Sequence, residues 1–292
     1  MLRRVTVRPV DVPGPVADAL ASPGPGASTA IATSVLTFFV RSWGDTTGTP
    51  LLLLHGIMSS SASWWRVGPA VAATSARVLA PDMPGHGETG SWLGHRSPLD
   101  HARDLVALIS ALGLRAEELC VVGHSWGAMT AAALPVVGLA PKRLILIDPP
   151  VLPLRDLETM ARDAVEHHYD SYADALNAVG AANDTWAFGD VVAKAEALTR
   201  FDEATVRDVL LANGDWDGGY ADVADPSAAG VDRWLIRGDP VWGGLVPDEA
   251  AARFSAMLSD ARVITIPRAS HSPHRTHPEE TVAAILRAMR VV

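Results

Sequence analysis

Apolar residues fall along this chain in short, dense runs separated by longer stretches of mixed character. Residues 35–43, 50–54, 77–80, 119–122, 144–147, 233–236 and 262–266 each read as a strand, because a brief apolar run bounded by turn formers suits a buried strand better than a helix. After Pro50 the second run is unbroken leucine, a composition expected where both faces of a strand are covered. The intervals after Ala102, Ala128 and Asp248 and the stretch 278–289 have helical character, the last with Thr276 and Glu279 as a candidate capping box. Alternation of this kind predicts an α/β fold, a mainly parallel central sheet with helices on both faces.

Two segments break the rhythm. Residues 1–30 include Pro9, Pro13, Gly14, Pro15, Pro23, Gly24, Pro25 and Gly26 and are expected to form an irregular lead-in, since such a composition buries little apolar surface. Residues 149–231 hold no convincing strand, but helical periodicity recurs at 157–169, 172–179, 191–197 and 204–211. This predicts an inserted helical cap, with 31–148 and 232–292 as the α/β core. The insertion carries Tyr169, Tyr172, Trp186, Phe188, Trp216 and Tyr220. Most aromatics at helical spacing pack internally; Trp186 and Trp216 are the candidates for bordering an apolar pocket.

Composition narrows the function classes. The 292 residues carry a formal net charge of −9 without a long basic run, so nucleic acid is not an expected partner. Arg3 and Arg4 are followed by prolines and no apolar run reaches membrane-spanning length, which predicts a soluble, cytoplasmic protein without a membrane partner. The single cysteine, Cys120, lies inside a predicted strand and reads as a buried, inert thiol. Oligomeric state is not legible.

Chemistry concentrates at 121–127, where Val-Val-Gly-His-Ser-Trp-Gly runs from a predicted strand into Gly-x-Ser-x-Gly. A neutral hydroxyl is a weak nucleophile, so a hydrolytic serine needs a sharp turn that exposes it beside a base and backbone N–H donors. The glycines at 123 and 127 leave room for that turn, and Ser125 is the candidate nucleophile. Further turns read His55-Gly56 after the leucine run, Pro81-Asp82-Met83-Pro84-Gly85-His86-Gly87, and a late Ser270-His271-Ser272.

With these motifs in this order, the chain resembles the α/β-hydrolase fold family, in particular its capped esterase-like members, over roughly residues 35–290. The resemblance implies a serine hydrolase that cleaves a carboxylic ester or related acyl bond without a cofactor, its substrate small, apolar and ester-like. It places the general base at His271 and the two oxyanion N–H donors at Ile57 and Trp126. The triad acid is expected after the strand that follows the cap, at Asp239, although Gly238 and Asp239 are adjacent where the family commonly has Gly-x-x-Asp. Asp148, after the preceding strand, is the alternative. Whichever carboxylate is not the acid is expected to cap a turn or helix start.

Met58, Trp64, Trp65 and Trp126 are further candidates for an apolar wall, Met58 foremost. His55 and His86 sit in turns where hydrogen bonding is the expected role, and Asp82 reads as a turn residue. His124 adjoins the nucleophile as a structural residue, and His95, His101, His167 and His168 as surface or helix-face residues. His271, His274 and His277 recur at threes, yet no carboxylate or cysteine cluster accompanies them, so no metal site is expected. A serine at this turn argues against the aspartate-nucleophile chemistry of haloalkane dehalogenases and epoxide hydrolases in the same family. Lactone opening, carbon–carbon bond hydrolysis, a cofactor-free perhydrolase activity and a noncatalytic receptor-like role stand as alternatives.

Overall fold

The leucines of residues 51–54 point alternately into two separate cores: Leu52 and Leu54 into one, Leu51 and Leu53 into the other. The same alternation divides Leu144 and Leu146 from Ile145 and Ile147, so these runs are unbroken because neither face of the strand meets water. The computed structural model describes residues 12–91, 94, 97–162 and 167–290. Its strands are β1 (Ala27–Ala32), β2 (Thr37–Trp43), β3 (Thr49–Leu54), β4 (Ala76–Pro81), β5 (Cys120–His124) and β6 (Arg143–Ile147), then the short β7 (Val151–Leu152) and β8 (Trp216–Asp217), and finally β9 (Asp232–Arg237) and β10 (Val263–Thr265).

Eight of these form one sheet in the order β1-β2-β4-β3-β5-β6-β9-β10. Pairing is parallel from β4 through β10 and antiparallel at the β1–β2–β4 edge. β7 and β8 pair separately as an antiparallel ribbon. Helices cover both faces. α1 (Gly14–Ala21), α2 (Val67–Ala72) and, at the chain's end, α12 (Pro278–Met289) supply Val16, Val67, Val71, Ile285 and Leu286 to one core. α3 (Pro98–Ala111), α4 (Trp126–Ala133) and α10 (Asp248–Leu258) supply Leu105, Leu108, Ala131 and Phe254 to the other.

Between β6 and β9 lie α5 (Leu154–Met160), α6 (Tyr172–Ala182), α7 (Phe188–Leu198), α8 (Glu203–Leu211) and α9 (Tyr220–Ala224). A third apolar cluster joins Leu157, Val179, Leu198 and Val209 of this insertion to Ile57, Met58, Trp126 and Met129, fixing it above the C-terminal ends of the strands. The short α11 (Pro273–Thr276) links the last strand region to α12.

The N-terminal region differs from expectation. The prolines at 13 and 15 open α1 instead of preventing helix: Pro15 stands at the start, where its missing N–H costs no helical bond, and Val16 is fully buried. β1 pairs antiparallel with β2 along its whole length, although its Ala, Ser and Thr residues are mostly exposed and carry no apolar alternation. Its residues 1–11 lie outside the described residues, as does His95. The capping box expected at Thr276 and Glu279 does not form: the N-cap of α12 is His277, with no side-chain cap bond, and Thr276 Oγ1 donates to Ser272 O instead. No described helix is long and apolar enough to cross a membrane.

Candidate active site

The turn between β5 and α4 is forced by close packing. A Cβ on Gly123 would fall 2.2 Å from Gly127 O, and one on Gly127 would fall 2.5 Å from the carbonyl oxygens of Leu54 and His55. Ser125, between them, has φ 55° and ψ −124°, a strained conformation for a residue with a Cβ. Its N–H donates to Ile147 O at 2.9 Å, so the strand beside it holds the turn in place. Gly56 passes directly opposite, where a Cβ would lie 2.9 Å from Ser125 Cβ.

His271 Nε2 stands 3.0 Å from Ser125 Oγ, and its Nδ1 stands 2.7 Å from Asp148 Oδ2. Asp148 is fully buried and has φ 43°. Its Oδ1 accepts from Gly238 N at 2.9 Å and its Oδ2 from Leu245 N at 2.8 Å. These donors hold the carboxylate in one orientation, with Oδ2 facing His271 Nδ1, and so set the Nε2 edge of the ring toward the serine.

Asp239, the acid favoured from the sequence, is not in this chain of bonds. Its Oδ1 accepts from Val241 N at 3.1 Å and its Oδ2 from Arg268 N at 3.3 Å, so it caps the 3-10 turn at Pro240–Trp242. The reason lies in strand placement. β6 is the immediate neighbour of β5 and β9 the next one out, and the positive φ at 148 turns the carboxyl inward, whereas the turn amides after Gly238 draw Asp239 outward.

Four buried histidines surround the site, all held neutral by desolvation. His55 Nε2 accepts from Met83 N at 2.9 Å while its Nδ1–H donates to Gly56 O at 2.7 Å. His86 mirrors it, Nε2 accepting from Met58 N at 3.1 Å and Nδ1–H donating to Pro84 O at 3.0 Å. Burial pushes the first down to about 4 and the second to about 3. Asp82 completes the lacing by accepting from Ser61 N at 2.7 Å and Glu88 N at 3.0 Å. The loop carrying Ile57 is thereby tied to the loop after β4. His124 and His274, with ring centroids 4.5 Å apart, are also driven well below the ordinary imidazole value by burial. His124 Nε2–H donates to His271 O at 2.8 Å, which anchors the backbone at His271.

Ser125 and His271 open into a cavity of about 250 Å³. The core contributes Gly56, Ile57, Met58, Ser59 and Arg275 to its walls; the insertion contributes Leu152, Met160, Asn183, Trp186, Lys194 and Trp216. Of the wall candidates, Met58, Trp186 and Trp216 border this cavity, and Trp64, Trp65 and Trp126 do not. Trp64 is fully buried in a core, Trp65 Nε1 donates to Asp190 at 2.9 Å, and the Trp126 indole donates to His101 Nδ1 at 3.0 Å. The Trp126 backbone N–H is at the first position of α4, where no intrahelical acceptor exists, directly after Ser125. Sequence reasoning missed Lys194 and Arg275. Lys194, one of two lysines in the chain, interrupts the otherwise apolar stretch 191–195, which was the available signal. Among the described residues no group of His, Cys, Asp and Glu is arranged to hold a metal.

The profile of the alpha/beta hydrolase family matches residues 51–285, from β3 to α12. The chain belongs to the alpha/beta hydrolase family. Within it, this hydrolase-family chain is 42% identical over 102 residues to the dihydrolipoyllysine-residue acetyltransferase component of the acetoin cleaving system of Pseudomonas putida, covering 35% of this chain and 26% of that one. It is 35% identical over 103 residues to an epoxide hydrolase of Caballeronia sordidicola, covering 35% of this chain and 30% of that one. The matched segment spans between a quarter and a third of these curated relatives. Among solved structures, E-2-(acetamidomethylene)succinate hydrolase superposes with a TM-score of 0.75 at 23% identity, covering 91% of this chain and 99% of that one, so the two share a fold.

Proposed function

We propose that this α/β hydrolase is a serine hydrolase that cleaves a carboxylic ester or related acyl bond through an acyl-enzyme. The observation that carries the reading is the continuous chain Ser125 Oγ, His271, Asp148 at the mouth of a cavity. Ser125 attacks the substrate carbonyl as His271 Nε2 takes its proton, and the same proton passes to the leaving group as the tetrahedral intermediate collapses. Asp148 fixes the imidazole tautomer and stabilises the cation that forms. The N–H groups of Ile57 and Trp126 receive the developing oxyanion. Water then repeats the sequence on the acyl-enzyme, with His271 as base. The Ile57 donor depends on the loop laced by His55 and His86, so these histidines support the reaction by holding backbone in place. A serine at this turn, in contrast to an aspartate, leads to an acyl intermediate and not to the alkyl ester of epoxide or haloalkane opening.

A fluorophosphonate probe should label the wild-type protein at Ser125, and p-nitrophenyl esters of graded acyl length should be hydrolysed. Ser125→Ala should abolish labelling and lower kcat by roughly three orders of magnitude or more. Retention of a tenth of wild-type turnover in that variant would reject the reading.

A further inference from the structure

A second cavity, of about 190 Å³, lies beside the catalytic one, and Met58 and Met160 border both. These two thioether side chains are therefore the wall between the cavities. Past that wall the second cavity is bordered by Ala161, Phe201, Val206 and Leu210 of the insertion, with the exposed Glu203 and Arg207 of α8 on its water-facing side. Phe201, Val206 and Leu210 are buried and give it an apolar floor.

The Met58 backbone is fixed at both of its polar groups: its N–H donates to His86 Nε2 at 3.1 Å and its carbonyl accepts from Lys194 Nζ at 3.1 Å. Its φ is 53°, left-handed backbone that glycine adopts freely and a residue with a Cβ only under strain. A side chain is thus held at the junction where backbone geometry alone would favour glycine. Met160, the last residue of α5, is partly buried. Methionine is unbranched, with three rotatable bonds, and clears space by changing rotamer where a branched or aromatic side chain would clash. Two methionines at one junction make a wall that yields to a flexible chain and closes again over a short one. Chemistry decides which part of an ester goes that way. The leaving group has to lie at His271 Nε2 to receive its proton. His271, Ser272 and Arg275 border the first cavity and are absent from the described walls of the second, which carry Met58, the residue after the oxyanion donor Ile57. The acyl chain is the branch that runs past the methionines.

We propose that the second cavity is the distal part of an acyl-binding site, reached past Met58 and Met160, and that the enzyme is selective for esters of long, unbranched, apolar acyl chains over short ones. This rests on the serine-hydrolase reading of the first cavity. Each methylene that passes from water to the apolar floor strengthens binding by about four-fold.

The test compares p-nitrophenyl decanoate with p-nitrophenyl butyrate, both at concentrations where they are monomeric. For the wild type, kcat/KM should favour the decanoate by about ten-fold or more. Ala161→Phe puts a ring into the second cavity from a half-buried position, and Met160→Phe replaces a flexible side chain of the wall with a rigid one of similar bulk. Each should lower the ratio about ten-fold; the ratio cancels any general loss of activity. A wild-type ratio near one, or a ratio unmoved in both variants, overturns the proposal while leaving the hydrolase intact. So does a chain-length preference found between decyl acetate and butyl acetate and missing from the p-nitrophenyl pair, which would put the chain on the alcohol side. Should Ala161→Phe not fold, as judged by circular dichroism, Met160→Phe carries the comparison. Fluorophosphonate labelling of the same preparations reports on the hydrolase reading separately. If labelling and turnover are both absent, calorimetric titration with sodium decanoate decides the subsite: a Kd raised ten-fold or more by Ala161→Phe or Met160→Phe supports it, and absent binding or an unchanged Kd overturns it.

Discussion

Asp148 is held by two backbone amides from separate parts of the chain, Gly238 and Leu245, before it meets His271. An amide in its place would present an NH₂ to at least one of these donors and set the imidazole in the wrong tautomer. Asp148→Asn is therefore expected to lower kcat by about three to four orders of magnitude, measured on any ester the wild type hydrolyses. Asp239→Asn, at a partly exposed turn cap, should leave kcat within a few-fold and shift stability by less than about 1 kcal/mol. The reverse outcome would return the acid to 239. Both carboxylates follow predicted strands and precede a proline, and each was a candidate from the sequence. What separates them is the positive φ at 148 and the strand order, and neither is encoded within a few residues of the position. Ser125 and His271 were readable because turn glycines and chain order mark them locally. Lys194 and Arg275 were not, because their convergence on one cavity joins α7 of the insertion to α11 near the chain's end.

Among the elements, α4 shows how a glycine's worth depends on its surroundings. At Gly127 a methyl group would meet the carbonyl oxygens of Leu54 and His55 at 2.5 Å, backbone that β3 holds rigidly. At Gly180, in α6, the nearest atom to such a methyl is Val191 Cγ1 at 3.7 Å, an ordinary contact. Alanine is the better helix former by about 1 kcal/mol, so Gly180→Ala should raise stability by about 0.5–1 kcal/mol. Gly127→Ala should lower it by about 1–3 kcal/mol, because the overpacking outweighs that gain. Urea midpoints at unchanged m-value measure both, and a like sign for the two would contradict the packing described. In the eight-stranded sheet the strands from β2 onward were legible from periodicity, as were α6, α7 and α8; the helix expected at 157–169 is the shorter α5 at Leu154–Met160, α9 was not expected, and the insertion, expected to hold no strand, carries the two-residue β7 and β8, too short to leave an alternation. α1 and β1 were not: prolines that open a helix look the same in sequence as prolines that break one, and β1 is held by backbone pairing to β2 with little help from its side chains.

For the molecule as a whole, the neutral buried histidines set a pH limit on folding. His55 and His86 titrate in the folded state at about 4 and about 3, and His124 and His274 are also driven well below their ordinary value. Unfolded, each takes up a proton near pH ~6.5. Below that value the unfolded chain binds more protons than the folded one, so stability falls with falling pH, by up to about 1.4 kcal/mol per unit for each histidine. Asp222, raised to about 6 by burial and by Asp217 and Asp225, and Asp190, raised by burial, act in the opposite sense as pH falls through the carboxylate range. Four groups against two leave the net loss. The melting temperature should drop steeply between pH 6.5 and 4; a flat profile from pH 7 to pH 5 would show that these rings are not kept neutral.

The bond from Asp148 to His271 also fixes where this protein can be cut and rebuilt. Asp148 ends the strand side and Pro149 begins the path into the insertion, so a transplant of the insertion from another hydrolase has to join downstream of 148 and upstream of β9 at Asp232. Such a graft would exchange Met160, Asn183, Trp186, Lys194 and Trp216 together and leave Ser59 and Arg275 behind. Half of the cavity's chemistry travels with the graft and half is inherited from the recipient, so a chimera's selectivity belongs to the pairing and not to either parent.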